Sequence, residues 1–171
     1  MKIKAYLIGN IIQSNQPEAI QLCKKSAFGE QIEDKIQYTL SETYFLVEKN
    51  KLSVISGNKE LAKTDLIKKF QRIDKKFNIK YPVFKDLREK GYVVKTALKF
   101  GADFRVYEKG AKPGKKHAKW IVFTEYESKK TSWHEFSAKN RVAHSTHKNL
   151  LLAILDEEGD ITYYEVRWIK P

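Results

Sequence analysis

The sequence predicts an α/β (α+β) chain built as two small mixed α/β domains, and three observations lead there. Short β-branched and aromatic runs alternate with stretches of helical spacing along the whole length. The 171 residues are 42% hydrophobic, with three Trp, nine Tyr and nine Phe, enough bulk to fill packed cores. The pattern then pauses at residues 78–81, just ahead of Pro82, which marks a seam between domains spanning 1–78 and 79–171.

The elements follow in order. IKAYLIGNII (3–12) is strand-like, and PEAIQLCKKSAFGE (17–30) is a short helical stretch that Gly29 would end. In LSETYFLVEKNKLSVIS (40–56), Ser41 is placed to cap a helix, and LSVIS has a strand's alternation. Thr64 would cap DLIKKFQRIDKKF, whose Leu66, Ile67, Phe70, Ile73 and Phe77 share one helical face. The second half opens with a helix, PVFKDLREKG, stopped by Gly91. Strands YVVKTALKF and FRVYE come next, then a loop with Gly110, Pro113 and Gly114, then strand WIVFTEY. SWHEFSAKNRVAHS holds a helical turn and a short strand around RVAHS. NLLLAILD is a buried helix or strand, DEEGD a turn, and ITYYEVRWI a terminal strand.

Composition narrows the function. Cys23 is the only cysteine, which excludes an intrachain disulfide or a cysteine-based zinc site and leaves a buried structural thiol as the expectation. MKIKAYLIGNII is interrupted by Gly9 and Asn10 and lacks an A-x-A-like cleavage site, so it reads as a strand rather than a signal peptide. No apolar run approaches the ~18 residues of a spanning helix, and a soluble, cytoplasmic protein is expected. The net charge is +12. Such a surplus suits a polyanionic partner, although a Lys-rich or thermophile surface has a similar balance. Its placement is uneven. Residues 99–148 carry twelve Lys and Arg against five Asp and Glu, whereas residues 149–171 carry two against five.

The basic stretch contains a constellation suited to acid–base chemistry. Tyr107 closes one strand and His117 opens the next across a loop bearing Lys109, Lys112, Lys115 and Lys116. If those strands pair, both side chains stand at one end of the sheet. Ser145 or Thr146 would cap the following apolar element and place Lys148 in its first turn. A cation there opposes the helix dipole unless it helps hold an anion. Together such groups could cleave RNA through its own 2′-hydroxyl. Histidine, ordinarily near pKa ~6.5, suits a general acid, and lysine supplies charge to the transition state. A phenol, ordinarily near ~10, acts as a base only with cations beside it. The residues alone leave blander readings open: a packed tyrosine, a solvated histidine, a surface lysine. His144 and His147 form H-x-x-H but lack a completing carboxylate or cysteine, and Gly110 with Gly114 lacks the Lys-[ST] ending of a phosphate-binding loop.

The stretch YPVFKDLREKGYVVKTALKFGADFRVYEKG (81–110), His117, and RVAHSTHKNLLLAILDEEGDITYYEVRWIKP (141–171) closely resemble the catalytic C-terminal domain of archaeal tRNA-splicing endonucleases (tRNA-intron lyases). LSETYFLVEKNKLSV resembles that family's N-terminal domain more loosely. The resemblance implies a C-terminal mixed sheet flanked by helices, of restriction-endonuclease-like type. It implies Tyr107 as general base, His117 as general acid and Lys148 as transition-state stabiliser. The implied substrate is the bulge-helix-bulge at exon–intron junctions of precursor tRNA, cut to 2′,3′-cyclic phosphate and 5′-hydroxyl ends without metal or other cofactor. Arg141 and Arg167 correspond to arginines that grip flipped-out bases from a partner subunit. Asp156, Glu157, Glu158 and Asp160 correspond to a loop that docks into a neighbour's basic groove, with ITYYEVRWI pairing across a dimer. A homotetramer is implied, with a heterotetramer containing a separate structural subunit as the alternative. A non-catalytic basic RNA-binding module and a metal-dependent nuclease are the competing readings.

Overall fold

The computed structural model describes residues 2–171, so Met1 of the opening MKIK lies outside the described residues. The chain divides into two units, Met1–Asn78 and Ile79–Pro171. Each is mixed α/β.

In the first unit the expected single opening strand is a hairpin. β1 (Ile3–Ile8) and β2 (Ile11–Ser14) run antiparallel, because Gly9, at φ 61, turns the chain with Asn10. α1 (Pro17–Ser26) starts on a proline, which needs no N–H there, and ends at Ala27 in the left-handed region, before Gly29. Gly29 has another task. At φ 76, a Cβ on it would run into Ile36 Cγ2 and come within 3.0 Å of Tyr38 Cε1, so glycine lets the chain pass close to its neighbouring strand. Cys23 is half-buried rather than buried, its Sγ 3.5 Å from the Gly29 carbonyl.

The hairpin β3 (Glu30–Ile32) and β4 (Lys35–Tyr38) escaped the sequence reading because its strands are short and polar. α2 (Leu40–Glu48) is capped by Thr39, two residues before the expected Ser41. Glu42 Oε2 accepts from the Thr39 N–H and the Thr39 hydroxyl accepts from the Glu42 N–H, a complete capping box. β5 (Leu52–Ser56), β6 (Lys59–Glu60) and α3 (Lys63–Ile73) complete the unit. α3 begins after Ala62, so Thr64 lies inside it and caps nothing, and it stops before Phe77. The sheet order is β3-β4-β2-β1-β5-β6, with β1 and β5 parallel. Ile3, Ala5 and Leu7 alternate into a core with Leu46, Leu52, Val54, Leu66 and Phe70.

The expected seam at 78–81 is helical. α4 runs Phe77–Glu89 and carries Pro82 inside it, and the division between the units falls after its second residue. Pro82 forgoes one backbone hydrogen bond. The apolar spacing of Ile79, Val83, Phe84 and Leu87, all buried, holds the helical turn around it.

The second unit is a five-stranded sheet ordered β11-β10-β9-β8-β7. β7 (Val93–Ala97) ends in a 3₁₀ turn at Leu98–Phe100 and returns as β8 (Ala102–Tyr107). β9 (Trp120–Tyr126) leads through α5 (Trp133–Ser145) to β10 (Asn149–Leu155), which pairs parallel with β9. β11 (Ile161–Val166) is antiparallel at the edge and stops before Arg167, so the terminal strand is shorter than expected. RVAHS is helical, not a strand. The Ser132–Glu135 capping box starts α5, and it continues until Thr146. Ala97, Ala102, Ile121, Phe123, Ala143 and Leu150 form the core between α5 and the sheet.

Candidate active site

Topology decides which side chains meet. A parallel pair joined by a helix has its two N-terminal ends side by side, and an antiparallel neighbour contributes its C-terminal end there. Tyr107 is the last residue of β8, His117 lies three residues before β9, and Lys148 immediately precedes β10. Two backbone bonds lock this end of the sheet: Lys119 N–H to the Val106 carbonyl and Asn149 N–H to the Lys119 carbonyl, both 2.9 Å. Tyr107, His117 and Lys148 consequently line one cleft of about 260 Å³, together with Phe100, Arg105, Lys115, Lys116, Gly114 and Ala118.

The three differ in environment. Tyr107 is 4% exposed, whereas His117 is carried out into solvent by its loop. That loop is pinned at its base by an ion pair between Lys119 Nζ and Glu108 at 2.9 Å, and Ala111 is buried beneath it. Of the four loop lysines, Lys115 and Lys116 line the cleft. Lys109 Nζ lies 5.2 Å above the Tyr92 ring, and Lys112 is exposed outside the cleft.

Lys148 does not sit in the first turn of a helix, as its spacing suggested, but just past the end of one. His147 takes the left-handed conformation at φ 55. The His147 N–H reaches back to the His144 carbonyl at 3.0 Å, and the Lys148 N–H to the Ala143 carbonyl at 2.9 Å. This paired closure ends α5 and aims the next residue at the cleft. The Lys148 ammonium donates to the Thr146 carbonyl at 2.8 Å, so the cation favours the negative end of the α5 dipole, the reverse of the expected conflict. It also lies 5.6 Å above the Phe100 ring. Burial, and then the like charge of Arg105, push its pKa below the ordinary lysine value.

The sequence alone does not point to Arg105, Phe100 or Ala118 as cleft residues. For Arg105 a partial signal is present: it stands two residues before Tyr107, so strand alternation puts both on one face. Among the described residues, no carboxylate lines the cleft.

Arg141 and Arg167 are not in this cleft. They line a separate groove of about 660 Å³ with Phe136, His144, Trp168 and Ile169. The Arg167 guanidinium is tied to Glu165, Nε at 2.7 Å. His144 of the H-x-x-H pair lies against Trp168, ring centroids 4.2 Å apart. Among the described residues, no three His, Cys, Asp or Glu side chains gather as metal ligands. Asp156, Glu157, Glu158 and Asp160 form the β10–β11 turn. Asp156 Oδ1 accepts from the Glu158 and Asp160 N–H groups, both 2.9 Å, which leaves Glu157, Glu158 and Asp160 as its exposed carboxylates.

Comparison with known proteins places this chain among relatives. Residues 77–163 match the family described as tRNA intron endonuclease, catalytic C-terminal domain, and residues 3–67 match its N-terminal domain. A tRNA-splicing endonuclease of Pyrococcus horikoshii is 43% identical over 169 residues, covering 98% of this chain and 97% of that one. One from Thermococcus kodakarensis is 40% identical over 166 residues, covering 96% and 97% of the two chains. One from Nanoarchaeum equitans is 42% identical over 146 residues, covering 82% and 93%.

Proposed function

Because the chain belongs to the tRNA intron endonuclease family, we propose that it is a tRNA-splicing endonuclease that cuts precursor tRNA at bulge-helix-bulge junctions, with the reaction carried out in the cleft of the second unit. The observation that carries this reading is the convergence of Tyr107, His117 and Lys148 on one acid-free cleft from the ends of three strands. In the reaction, Tyr107 takes the proton from the ribose 2′-hydroxyl as its oxygen attacks the adjacent phosphorus. The bond to the 5′-oxygen breaks, and His117 returns a proton to it. Lys148 faces the charge that builds on the phosphate. The products are a 2′,3′-cyclic phosphate and a 5′-hydroxyl, and every role in the step is filled by a side chain.

The placements suit the roles. A buried base is held still on a strand, an exposed acid on a loop can follow the departing strand, and a restrained lysine waits beside them. Incubation of an intron-containing precursor tRNA in EDTA, with end-group analysis of the fragments, tests the chemistry. Cyclic phosphate ends in EDTA are expected; cleavage that appears only on adding a divalent metal would overturn the proposal. His117→Ala is expected to cut the rate about 10²-fold or more with RNA affinity nearly unchanged, the scale of a lost general acid.

The working assembly in this reading is a homotetramer in the cytoplasm. The exposed carboxylates of the β10–β11 turn dock against a neighbour's basic groove, the edge strand β11 with its exposed Tyr164 pairs across a dimer, and Arg141 and Arg167 grip unpaired bases in the partner's site. A heterotetramer with a structural subunit is distinguished from this by the mass of the purified chain alone: light scattering should give four copies of the 20.0 kDa chain.

A further inference from the structure

The second fixed cation of the cleft, Arg105, has no place in the mechanism above, and its surroundings are unusual. It stands on β8 on the same face as Tyr107, paired across the sheet with Ile121, which is fully buried. Its Nε is buried without a hydrogen-bond partner, and no ion pair reaches the guanidinium among the described residues. Buried polar atoms are nearly always satisfied, and this one is not, although Arg105 as a whole is half-buried and lines the cleft. Yet the residues lining the cleft offer it only more positive charge, from Lys115, Lys116 and Lys148. Its field is strong enough at Lys148 to make that ammonium easier to deprotonate. Two restrained cations on rigid elements, with no acid between them, form an arrangement that only an anion completes. The planar fork of arginine fits two oxygens of one phosphate, which a lysine's point charge does not.

We propose that Arg105 is a further catalytic residue, which binds the non-bridging oxygens of the RNA phosphate being cut and forms with Lys148 a two-cation clamp on it. The inference rests on the cleft being the cleavage site, as argued above. It adds a specific division of labour. Arg105, rooted on the inner strand β8, fixes where the phosphorus sits relative to the Tyr107 hydroxyl. Lys148, at the end of α5, meets the growing charge.

The test is single-turnover cleavage of a bulge-helix-bulge RNA at saturating enzyme by the wild type, Arg105→Gln, Arg105→Lys and His117→Ala. Binding of the same RNA carrying a 2′-deoxy nucleotide at the cut, and melting curves, are measured alongside. Arg105→Gln is expected to slow cleavage about 10²-fold or more. Arg105→Lys should recover part of that loss, and affinity for the uncleavable RNA should fall less than about tenfold. Rates within threefold of wild type for both Arg105 variants, beside a His117→Ala enzyme that is strongly impaired, would overturn the clamp and leave the cleft reading intact. A His117→Ala enzyme at full rate would remove the cleft reading and the clamp together. Should Arg105→Gln fail to fold, Arg105→Lys decides alone: a folded variant slowed about tenfold or more supports the clamp, and one at full rate overturns it.

Discussion

Lys148 is held between opposing influences. Burial and the Arg105 charge disfavour its proton, while the Thr146 carbonyl and the Phe100 ring favour it. The first pair prevails, so the side chain loses its proton at a lower pH than an ordinary lysine near ~10.4. The cation is present below that lowered value and lost as pH rises through it. Cleavage should therefore decline on the alkaline side before an ordinary lysine would titrate, and Lys148→Arg, which stays charged, should lose that decline. An identical alkaline limb in both enzymes would remove Lys148 from the step. The residue before it gives a second prediction. His147 holds a left-handed backbone that a β-carbon resists, at a cost of about 1 kcal/mol. His147→Gly should stabilise the protein by up to about 1 kcal/mol, read as a raised urea midpoint. An equally large destabilisation would mean that the imidazole itself supports the turn. Residue type alone could name Tyr107, His117 and Lys148 as candidates. It could not foresee a histidine in a position glycine usually fills, because that conformation follows from how α5 has to end.

Among the elements, α5 does most to build the site, since it is the crossover that makes β9 and β10 parallel neighbours. It is fastened to β9 by Lys139, whose Nζ donates to Glu125 at 2.9 Å and lies 5.4 Å above the Phe123 ring. Lys129 donates to the same carboxylate at 2.8 Å. Burial alone would raise the Glu125 pKa, but these two donors outweigh it and hold the carboxyl below its usual range. A carboxylate lowered on folding stabilises above its unfolded value, about 4.3, and the benefit is lost as pH falls through the folded value. Glu125→Gln should thus lower stability by about 1–2 kcal/mol at pH 7. The gap between variant and wild type should close in acid; a gap unchanged down to pH ~3 would show that charge is not what matters there. Four of the five strands of the second unit were legible as β-branched and aromatic runs, whereas NLLLAILD, apolar without regular alternation, fitted a helix or a strand. The misreadings fell where two local signals compete. RVAHS is rich in residues a strand accepts, yet the capping box that begins thirteen residues before its end had already committed the chain to a helix. Pro82 looked like a boundary because isolated proline breaks helices, and tertiary burial of its neighbours overrode that preference.

At the scale of the whole molecule, the net charge of +12 matters through its distribution. Arg105, Lys115, Lys116 and Lys148 share one cleft that has no lining acid among the described residues, while Glu157 and Glu158 of the β10–β11 turn lie with Tyr126, Glu127 and Ser128 around a different groove. Binding of RNA phosphates by such a cleft releases counterions, so affinity should fall steeply with salt. Each lost contact flattens the log–log slope by about 0.7–0.9. Replacing both Lys115 and Lys116 with glutamine should make the slope shallower by about 1–2, measured with uncleavable RNA; an unaltered slope would take those lysines out of the contact. Among the described residues no helix is long and apolar enough to cross a membrane.

By itself, the sequence determined the class of fold, four of the five strands of the second unit and three candidate site residues, Tyr107, His117 and Lys148. The fold class and the strands rest on local spacing, which alternation and helical period express directly, and the roles of the three residues on the family resemblance. The tertiary structure decided that those side chains share a cleft, because a parallel pair and an antiparallel neighbour bring together chain ends that are up to 41 residues apart in sequence. It alone placed the two distant arginines elsewhere, reversed the electrostatic sense of Lys148, and put a cation with an orphaned nitrogen beside it. Charge–charge relations depend on distance through space, and distance through space is set by strand pairing rather than by order along the chain.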